Sequence, residues 1–150
     1  MKFRKDTKAW QKLKKNLMKL DDSRVQVGWF EGQNYGPDND NLPIAQVAKW
    51  NEEGTRTSPP RPFIRVGFKS EIQNSKAAFE DIIKSVVDGK SPLVALKQSS
   101  KAFEDMLKDS IDKWDSPPNS PATVDNKGFN NPLIETGTMR DSVSSRVENK

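Results

Sequence analysis

The chain has 150 residues, a formal net charge of +4 at pH 7, no cysteine and no histidine. Its length predicts a single domain over residues 1–150. Without cysteine and histidine there is no disulfide, no thiolate nucleophile, no Cys/His zinc site and no imidazole base. An enzyme built from this chain would depend on carboxylates, lysine, serine or a metal held by carboxylates.

The apolar content is low for a folded domain. Leu, Ile, Val and Phe account for 32 of the 150 residues, close to the level of roughly 20% below which disorder is expected. We therefore expect a small core that gains stability from partners. No apolar run of 18 residues occurs, so we expect no transmembrane helix and no membrane partner. The basic N-terminus lacks the pattern of a secretory signal, so the expected compartment is the cytoplasm or a complex assembled there.

Positive charge is concentrated near the N-terminus. Residues 1–20 carry eight basic residues and one acidic residue, whereas the other 130 carry 17 basic and 20 acidic residues. A basic amphipathic helix over residues 1–22 is predicted by five apolar residues at helical spacing: Phe3, Trp10, Leu13, Leu17 and Leu20. Lysines occupy its other faces, and the candidate electrostatic contacts are Lys8, Lys12, Lys15 and Lys19.

A strand, a loop and a second helix follow. Val25, Val27 and Trp29 alternate with polar or small residues, which predicts a half-buried strand. Residues 31–41 are rich in glycine, asparagine, aspartate and proline and predict a loop. Pro43 suits the first position of a helix, with Asn41 nearby as its cap, and a glycine at position 54 suits the helix end.

Two longer helices are predicted in the middle of the chain. Three prolines within residues 59–62 impose an extended backbone and exclude helix there. The third helix is predicted from about Phe68 by an apolar stripe: Phe68, Ile72, Phe79, Ile82 or Ile83, and Val86. Ser91-Pro92 starts the fourth, whose stripe is Leu93, Leu96, Phe103, Leu107, Ile111 and Trp114. The short break between them predicts an antiparallel pair.

The last third of the chain is predicted to be less regular. Residues 115–132 contain four prolines and few apolar residues, which predicts a flexible loop. A short helix is expected within residues 133–143, and residues 144–147 are expected to begin a strand beside residues 25–29. The predicted fold class is α+β, with about four helices packed on a small antiparallel sheet and long proline-rich loops.

Acidic residues offer two candidate metal sites. Asp38-Asn39-Asp40 resembles the start of a calcium loop, but Pro43 stands where that loop needs glycine, and no glutamate follows at its twelfth position. A magnesium nuclease would combine Asp38 with Glu148 and Lys150, which are more than a hundred residues away in the sequence.

Adjacent carboxylates give no convergent pair. Glu52-Glu53 and Glu80-Asp81 lie on predicted helices, where sequence neighbours point in different directions. We therefore expect them on solvated faces.

Three roles are open for the basic helix: binding nucleic-acid phosphates, docking on an acidic partner subunit, or a solvated lysine face. A basic nucleic-acid-binding protein is the alternative function from a different class.

Three segments carry a more specific pattern. Residues 43–55 have the sequence PIAQVAKWNEEGT, residues 59–65 PPRPFIR, and residues 132–143 PLIETGTMRDSV. Together, and in this order, they resemble the tail-completion or neck proteins (minor tail, virion-morphogenesis) of tailed bacteriophages, over about residues 25–147. Members of that family typically show Ile-Ala…Asn-Glu-x-Gly-Thr, then Pro-x-Arg-Pro-Phe-x-Arg, then Pro-Leu-x-x-Thr-Gly-x-Met/Leu-Arg-x-Ser.

The resemblance implies a structural virion protein in the neck or tail, assembled in the host cytoplasm. It would form a ring, a hexamer, that completes the tail, joins it to the head connector and leaves a DNA channel. The implied partners are copies of the chain, a tail terminator or tail tube protein, a head-closure protein and DNA in passing. The resemblance implies no catalytic residue, cofactor or metal.

Two loops and nine residues are the candidate contacts under this resemblance. The loops are residues 31–41 and 115–132. The candidate subunit-contact or turn-forming residues are Trp50, Gly54, Arg61, Pro62, Phe63, Arg65, Thr136, Gly137 and Arg140.

Overall fold

A computed structural model describes residues 7–149, except for the side chains of residues 71–75. Within this range the fold is α+β, with seven helices, one of them a 3-10 helix, and a two-stranded antiparallel sheet. In chain order the elements are α1 (Lys8–Asp21), β1 (Ser23–Gly28), the 3-10 helix (Pro37–Asn39), α2 (Ile44–Glu53), α3 (Phe63–Val87), α4 (Pro92–Asp112), α5 (Pro121–Lys127), α6 (Thr138–Asp141) and β2 (Ser144–Asn149).

The predicted number of about four helices is wrong, because seven occur in the described residues. Three of the seven are short, and α5 lies inside the segment that was expected to be a loop. The Ser120 hydroxyl accepts the Thr123 N–H, Pro121 takes the first turn and Gly128 ends the helix at φ 77°. The Ser-Pro start is the same signal that marks α4, and the glycine stop resembles the end of α2, on a helix of only seven residues.

Two predicted helix starts also differ from the structure. The residue capping α2 is Pro43, without a side-chain hydrogen bond, whereas Asn41 lies in a left-handed turn at φ 51°. The third helix begins at Phe63 rather than near Phe68, because a glutamate of α2 caps it, as described below. β1 ends at Gly28, so Trp29 follows the strand instead of belonging to it.

The chain divides into two compact units. Unit 1 comprises Met1–Val27, Ile72–Phe103 and Ser145–Lys150, and unit 2 comprises Gly28–Glu71 and Glu104–Ser144. The long helices α3 and α4 each contribute one part to unit 1 and the other part to unit 2.

Unit 1 has a small apolar core. Its buried cluster consists of Ile82, Val86, Ala95 and Leu96, and Leu20, Val25 and Val147 are partly buried against it. The sheet pairs β1 with β2 as predicted, and Arg24 binds Glu148 at 3.1 Å. α1 spans residues 8–21 of the predicted basic helix and contains no buried residue. Phe3, expected on its apolar face, lies outside the described residues.

Unit 2 has the larger set of fully buried side chains. Its core includes Ile44, Ala48, Phe63, Leu107, Ile111, Leu133, Met139 and Val143. At Gly67 of α3 a Cβ would lie 3.0 Å from both the Met106 sulfur and the Ser110 Cβ of α4, so the helices approach closely. The Ser110 hydroxyl also donates to the Phe63 carbonyl at 2.7 Å.

The contacts within each unit follow the order of an antiparallel helix pair, as predicted. In unit 2 the start of α3, at Gly67, meets the end of α4, at Ser110. In unit 1 the end of α3, at Val86, packs with the start of α4, at Ala95.

Candidate functional site

The first motif segment ends α2 in a glycine turn. α2 stops at Glu53, and Gly54 follows with φ 77° and ψ 173°, a conformation essentially restricted to glycine. A Cβ here would lie 2.8 Å from the backbone nitrogen of Pro60. The Thr55 N–H donates to the Ser58 carbonyl at 2.9 Å, and the Thr55 hydroxyl accepts the Ser58 N–H at 3.0 Å. The glycine thus lets the proline segment fold back against the end of α2.

The proline segment is tied to α2 through Asn51 and Arg61. The Arg61 N–H donates to the Asn51 carbonyl at 2.6 Å, and its Nη1 donates to the Asn51 side-chain oxygen at 3.4 Å. Burial lowers the pKa of the Arg61 guanidinium. Its Nε is buried with no hydrogen-bond partner among the described residues. Arg61 therefore keeps donor capacity that the described fold does not use.

Glu52 was expected on a solvated face, and that expectation is wrong. Its carboxylate accepts the backbone N–H of Ile64 at 2.8 Å and of Arg65 at 3.2 Å, and only 12% of the side chain is exposed. A carboxylate is favourable at a helix N-terminus, where free N–H groups and the helix dipole are positive. This cap lets α3 begin directly after Pro62, and Arg65 adds an ion pair to Glu52 at 3.6 Å.

Phe63 belongs to the core of unit 2. Its side chain is fully buried, and its ring meets the Trp29 ring edge-on at a centroid distance of 6.2 Å. The Trp29 indole N–H donates to the Met139 carbonyl at 2.7 Å. The second motif segment is thereby linked through Trp29 to the third, and Phe63 acts as a core residue.

Asn131 and Lys127 position the third motif segment. The Asn131 amide donates to the carbonyls of Ile111 and Asp112 at the end of α4, at 2.9 and 3.0 Å. Its oxygen accepts the Leu133 N–H at 2.8 Å. Lys127 donates to the carbonyls of Asn131 and Ile134. Sequence reasoning missed both residues, because their partners are backbone groups that only the fold brings near.

A glycine turn opens α6 within the third segment. Gly137 has φ 82° and occupies the cap position of α6. Beside it, the hydroxyls of Thr136 and Thr138 are 2.7 Å apart. Arg140 contacts both oxygens of the Asp112 carboxylate through its Nε, at 2.7 and 2.9 Å, and Asp141 through its Nη1 at 2.7 Å. These bonds, first those to Asp112, raise the pKa of Arg140.

A groove in unit 2 is lined by the first and third motif segments. Its volume is about 530 Å³. Trp50 and Asn51 of α2 lie on its wall together with Thr136 and Gly137. The Trp50 side chain remains 43% exposed. Exposed tryptophan is a residue in which protein contact surfaces are enriched.

The loop at residues 31–41 forms a second wall of this groove through Tyr35. Burial, and secondarily the nearby Glu135 carboxylate, raises the pKa of the Tyr35 phenol. The loop is held by Gln33, whose amide donates to the Ser142 carbonyl at 2.7 Å, and by a single antiparallel bridge between Asn34 and Pro43. Gln33 gives no sequence signal for this role, because its partner is a backbone carbonyl of α6's C-terminal cap.

The candidate electrostatic residues all lie on α1. Lys8, Lys12, Lys15 and Lys19 are exposed, and none of them forms an ion pair with another residue that the structure describes. α1 also has no acidic residue in its first turn. Its lysine faces are therefore uncompensated positive surface.

The structure gives little geometry for metal chemistry. Among residues 7–149, no group of three or more acidic side chains is arranged to hold a metal ion. Glu148 of the nuclease alternative binds Arg24, and Lys150 lies outside the described residues. No described helix has the length and apolar content needed to span a membrane.

Comparisons of the chain with protein-family models, with curated proteins and with solved structures give no match.

Proposed function

We propose that the chain is a structural virion protein of a tailed bacteriophage, which forms a ring at the head–tail interface around a channel for DNA. The ring completes the tail and joins it to the head connector. One observation carries the proposal: residues 132–143, which lie far from residues 43–65 in the sequence, form one connected structure with them in unit 2. Glu52 of the first segment caps the helix that the second begins, and Trp50 shares a groove with Thr136 of the third.

The connection matters because an unrelated match at residues 132–143 would have no reason to contact the first two segments. The shared residues do structural work: Gly54 and Gly137 reverse the chain, Phe63 fills the core, and Glu52 fixes a helix start. A motif set that builds one local architecture supports a family relationship more strongly than composition does. None of these roles requires catalysis.

The groove is the surface that we assign to a neighbouring copy in the ring. Trp50 supplies an exposed aromatic anchor, and aromatic anchors dominate the free energy of protein contacts. Beside it on the groove wall, Asn51 is held by Arg61, whose Nη1 donates to the Asn51 side-chain oxygen at 3.4 Å. The lysine faces of α1 would meet an acidic subunit or the DNA path.

Mass measurement in solution and negative-stain images of the purified protein test the ring. We expect a closed oligomer, and we expect Trp50→Ala to shift the mass towards the monomer. Val66→Ala is the control, because Val66 is also an exposed apolar residue of unit 2, at 50%, but does not line the groove. Phage particles lacking the protein should contain unjoined heads and tails. Particles that keep their tails firmly joined without it would refute the proposal.

Binding of nucleic acid is the second candidate function, and the exposed lysines of α1 favour it. If it is correct, the monomer binds duplex DNA with an affinity that falls steeply as salt rises. Replacing Lys8, Lys12, Lys15 and Lys19 by glutamine should then flatten the salt dependence. Under the ring proposal the same variant leaves duplex binding weak and unchanged. A filter-binding or anisotropy series from 50 to about 200 mM salt separates the two.

A further inference from the structure

One side of α3 in unit 1 carries an apolar row that remains open. Phe79, Ile83 and Val87 are 56%, 49% and 49% exposed. Their spacing of four residues places them in one row along the helix. Ile82 and Val86 point to the core instead, at 6% and 0%. The apolar stripe predicted that Phe79 is buried in the core, and this prediction is wrong. The exposed position of its side chain needs a physical reason.

A row of alternating charge runs beside the apolar row. It consists of Lys76, Glu80, Lys84 and Asp88, again at spacings of four residues, with Asp88 directly after the last helical residue. All four are exposed. None of them forms an ion pair with another residue that the structure describes. The order of signs along the helix is therefore plus, minus, plus, minus, and each charge lies one helical turn from an opposite charge of the same row.

This order is complementary to itself when it is reversed. If a second α3 lies antiparallel with its midpoint at Ile82, Glu80 faces Lys84 of the other copy. In the same alignment Lys76 faces Asp88. A two-fold axis repeats each contact, so four oppositely charged pairs form and no like-charged pair does.

The apolar row independently fits the same midpoint. With a rise of 1.5 Å per residue, Phe79 lies about 4.5 Å to one side of Ile82. Ile83 and Val87 lie about 1.5 and 7.5 Å to the other side. The second copy mirrors these positions, so the six side chains alternate between the two helices at steps of about 3 Å. Alternation of this kind is how side chains of packed helices interdigitate.

We propose that α3 binds α3 of a second copy of this chain, antiparallel about a two-fold axis at Ile82. The apolar rows interdigitate, and the charged rows fix direction and register. This contact does not depend on the proposed ring. The neighbours of a ring meet head to tail, whereas a two-fold contact joins two copies and closes. The contact covers one helix face only, so the dimer is weak and concentration-dependent.

Sedimentation equilibrium of the full chain over a concentration series tests the contact. If larger oligomers form, the same measurements are made on chains that also carry Trp50→Ala, the variant expected to prevent the ring. Glu80→Lys places lysine against Lys84 twice and should raise the dissociation constant at least about tenfold. Lys84→Glu should do the same. The double variant Glu80→Lys/Lys84→Glu restores opposite charges and should recover dimerisation.

An equimolar mixture of the two single variants sharpens the test. The Glu80→Lys chain then meets the Lys84→Glu chain with opposite charges at every pair, so a heterodimer should form where neither variant pairs with itself. Ile83→Glu should abolish the dimer. Val66→Glu is the control, because Val66 is 50% exposed on the same helix but outside the row.

Three results would overturn the proposal. The first is a monomer at every concentration up to about 1 mM in the Trp50→Ala background. The second is a dimer that both single charge variants leave unchanged. The third is failure of the double variant and of the mixture to recover pairing. Loss of the ring with retention of the dimer, or the reverse, distinguishes the two proposals from each other.

Discussion

The two units of the chain are stabilised by different means. In unit 2, polar side chains fix the ends of helices and loops: Glu52 caps α3, Asn131 binds the end of α4, and Gln33 binds the carbonyl after α6. In unit 1 the buried cluster has four members. Of the ten large apolar side chains exposed in the described residues, seven belong to unit 1. Unit 2 therefore uses most of its apolar side chains internally, whereas unit 1 leaves apolar surface for contact with other molecules.

A matched pair of leucines on α4 gives the largest expected effect. Leu107 is buried in unit 2 at 1% exposure, and Leu96 is buried in unit 1 at 7%. Leu107→Ala should cost about 4 kcal/mol of unfolding free energy, and Leu96→Ala about 2 to 3 kcal/mol, because the smaller cluster can collapse onto the cavity. Urea denaturation measures both. Equal losses would remove the distinction between the two cores.

The glycine turn after α2 gives the next effect. Gly54→Ala should destabilise the chain by about 2 to 3 kcal/mol, since alanine meets both an unfavourable φ and the Pro60 backbone at 2.8 Å. Gly36→Ala is the control, because Gly36 has φ −68° and no atom near its missing Cβ. Thermal unfolding of the two variants should differ clearly. A Gly54→Ala protein as stable as the control would show that the turn can relax.

Removing the cap on α3 should cause a smaller loss of stability, which is local to the start of that helix. Glu52→Gln removes a charge from the helix start and should cost about 1 kcal/mol. Amide hydrogen exchange should accelerate first at Ile64 and Arg65, whose N–H groups the carboxylate accepts. The neighbouring Glu53→Gln should change stability by less than about 0.5 kcal/mol, because Glu53 has only an exposed ion pair with Lys49 at 3.9 Å. Equal exchange in both variants would argue against the cap.

The smallest expected effect is a pH dependence at Tyr35. Burial and Glu135 raise the pKa of its phenol above the ordinary value of 10.0. The folded state therefore holds this proton more tightly than the unfolded chain does. This contribution to stability is complete below pH 10 and is lost as pH rises through the folded pKa. Urea midpoints at alkaline pH should fall less in Tyr35→Phe than in the parent chain, and an identical fall would exclude Tyr35 as the cause.

The fold was predictable where a local pattern settles the structure. Alternating residues gave β1, the Ser-Pro start gave α4, and the glycine stop gave the end of α2. The pairing of β1 with β2 followed because each strand needs a partner for its backbone. The α+β class is confirmed, whereas the number of helices is wrong, because short helices depend on caps more than on periodicity.

The candidate site was predictable only as a set of segments. All three motif segments lie in unit 2. Gly54 and Gly137 lie at chain turns with positive φ, as expected for glycine. Their contacts were not predictable, since Glu52, Asn131 and Gln33 bind backbone groups that lie 12 to 109 residues away. A side chain that binds a distant N–H or carbonyl leaves no periodic trace in the sequence.

By itself, the sequence determined the absence of cysteine and histidine chemistry, the concentration of positive charge at the N-terminus, and the presence of the two long helices and the break between them. Each of these follows from residue type or from spacing within one element. The tertiary structure alone decided which face of α3 is buried. Phe79 and Ile82 are both apolar, so the sequence pattern does not distinguish them. Only the packing of α4 and the sheet covers Ile82 and leaves Phe79 exposed.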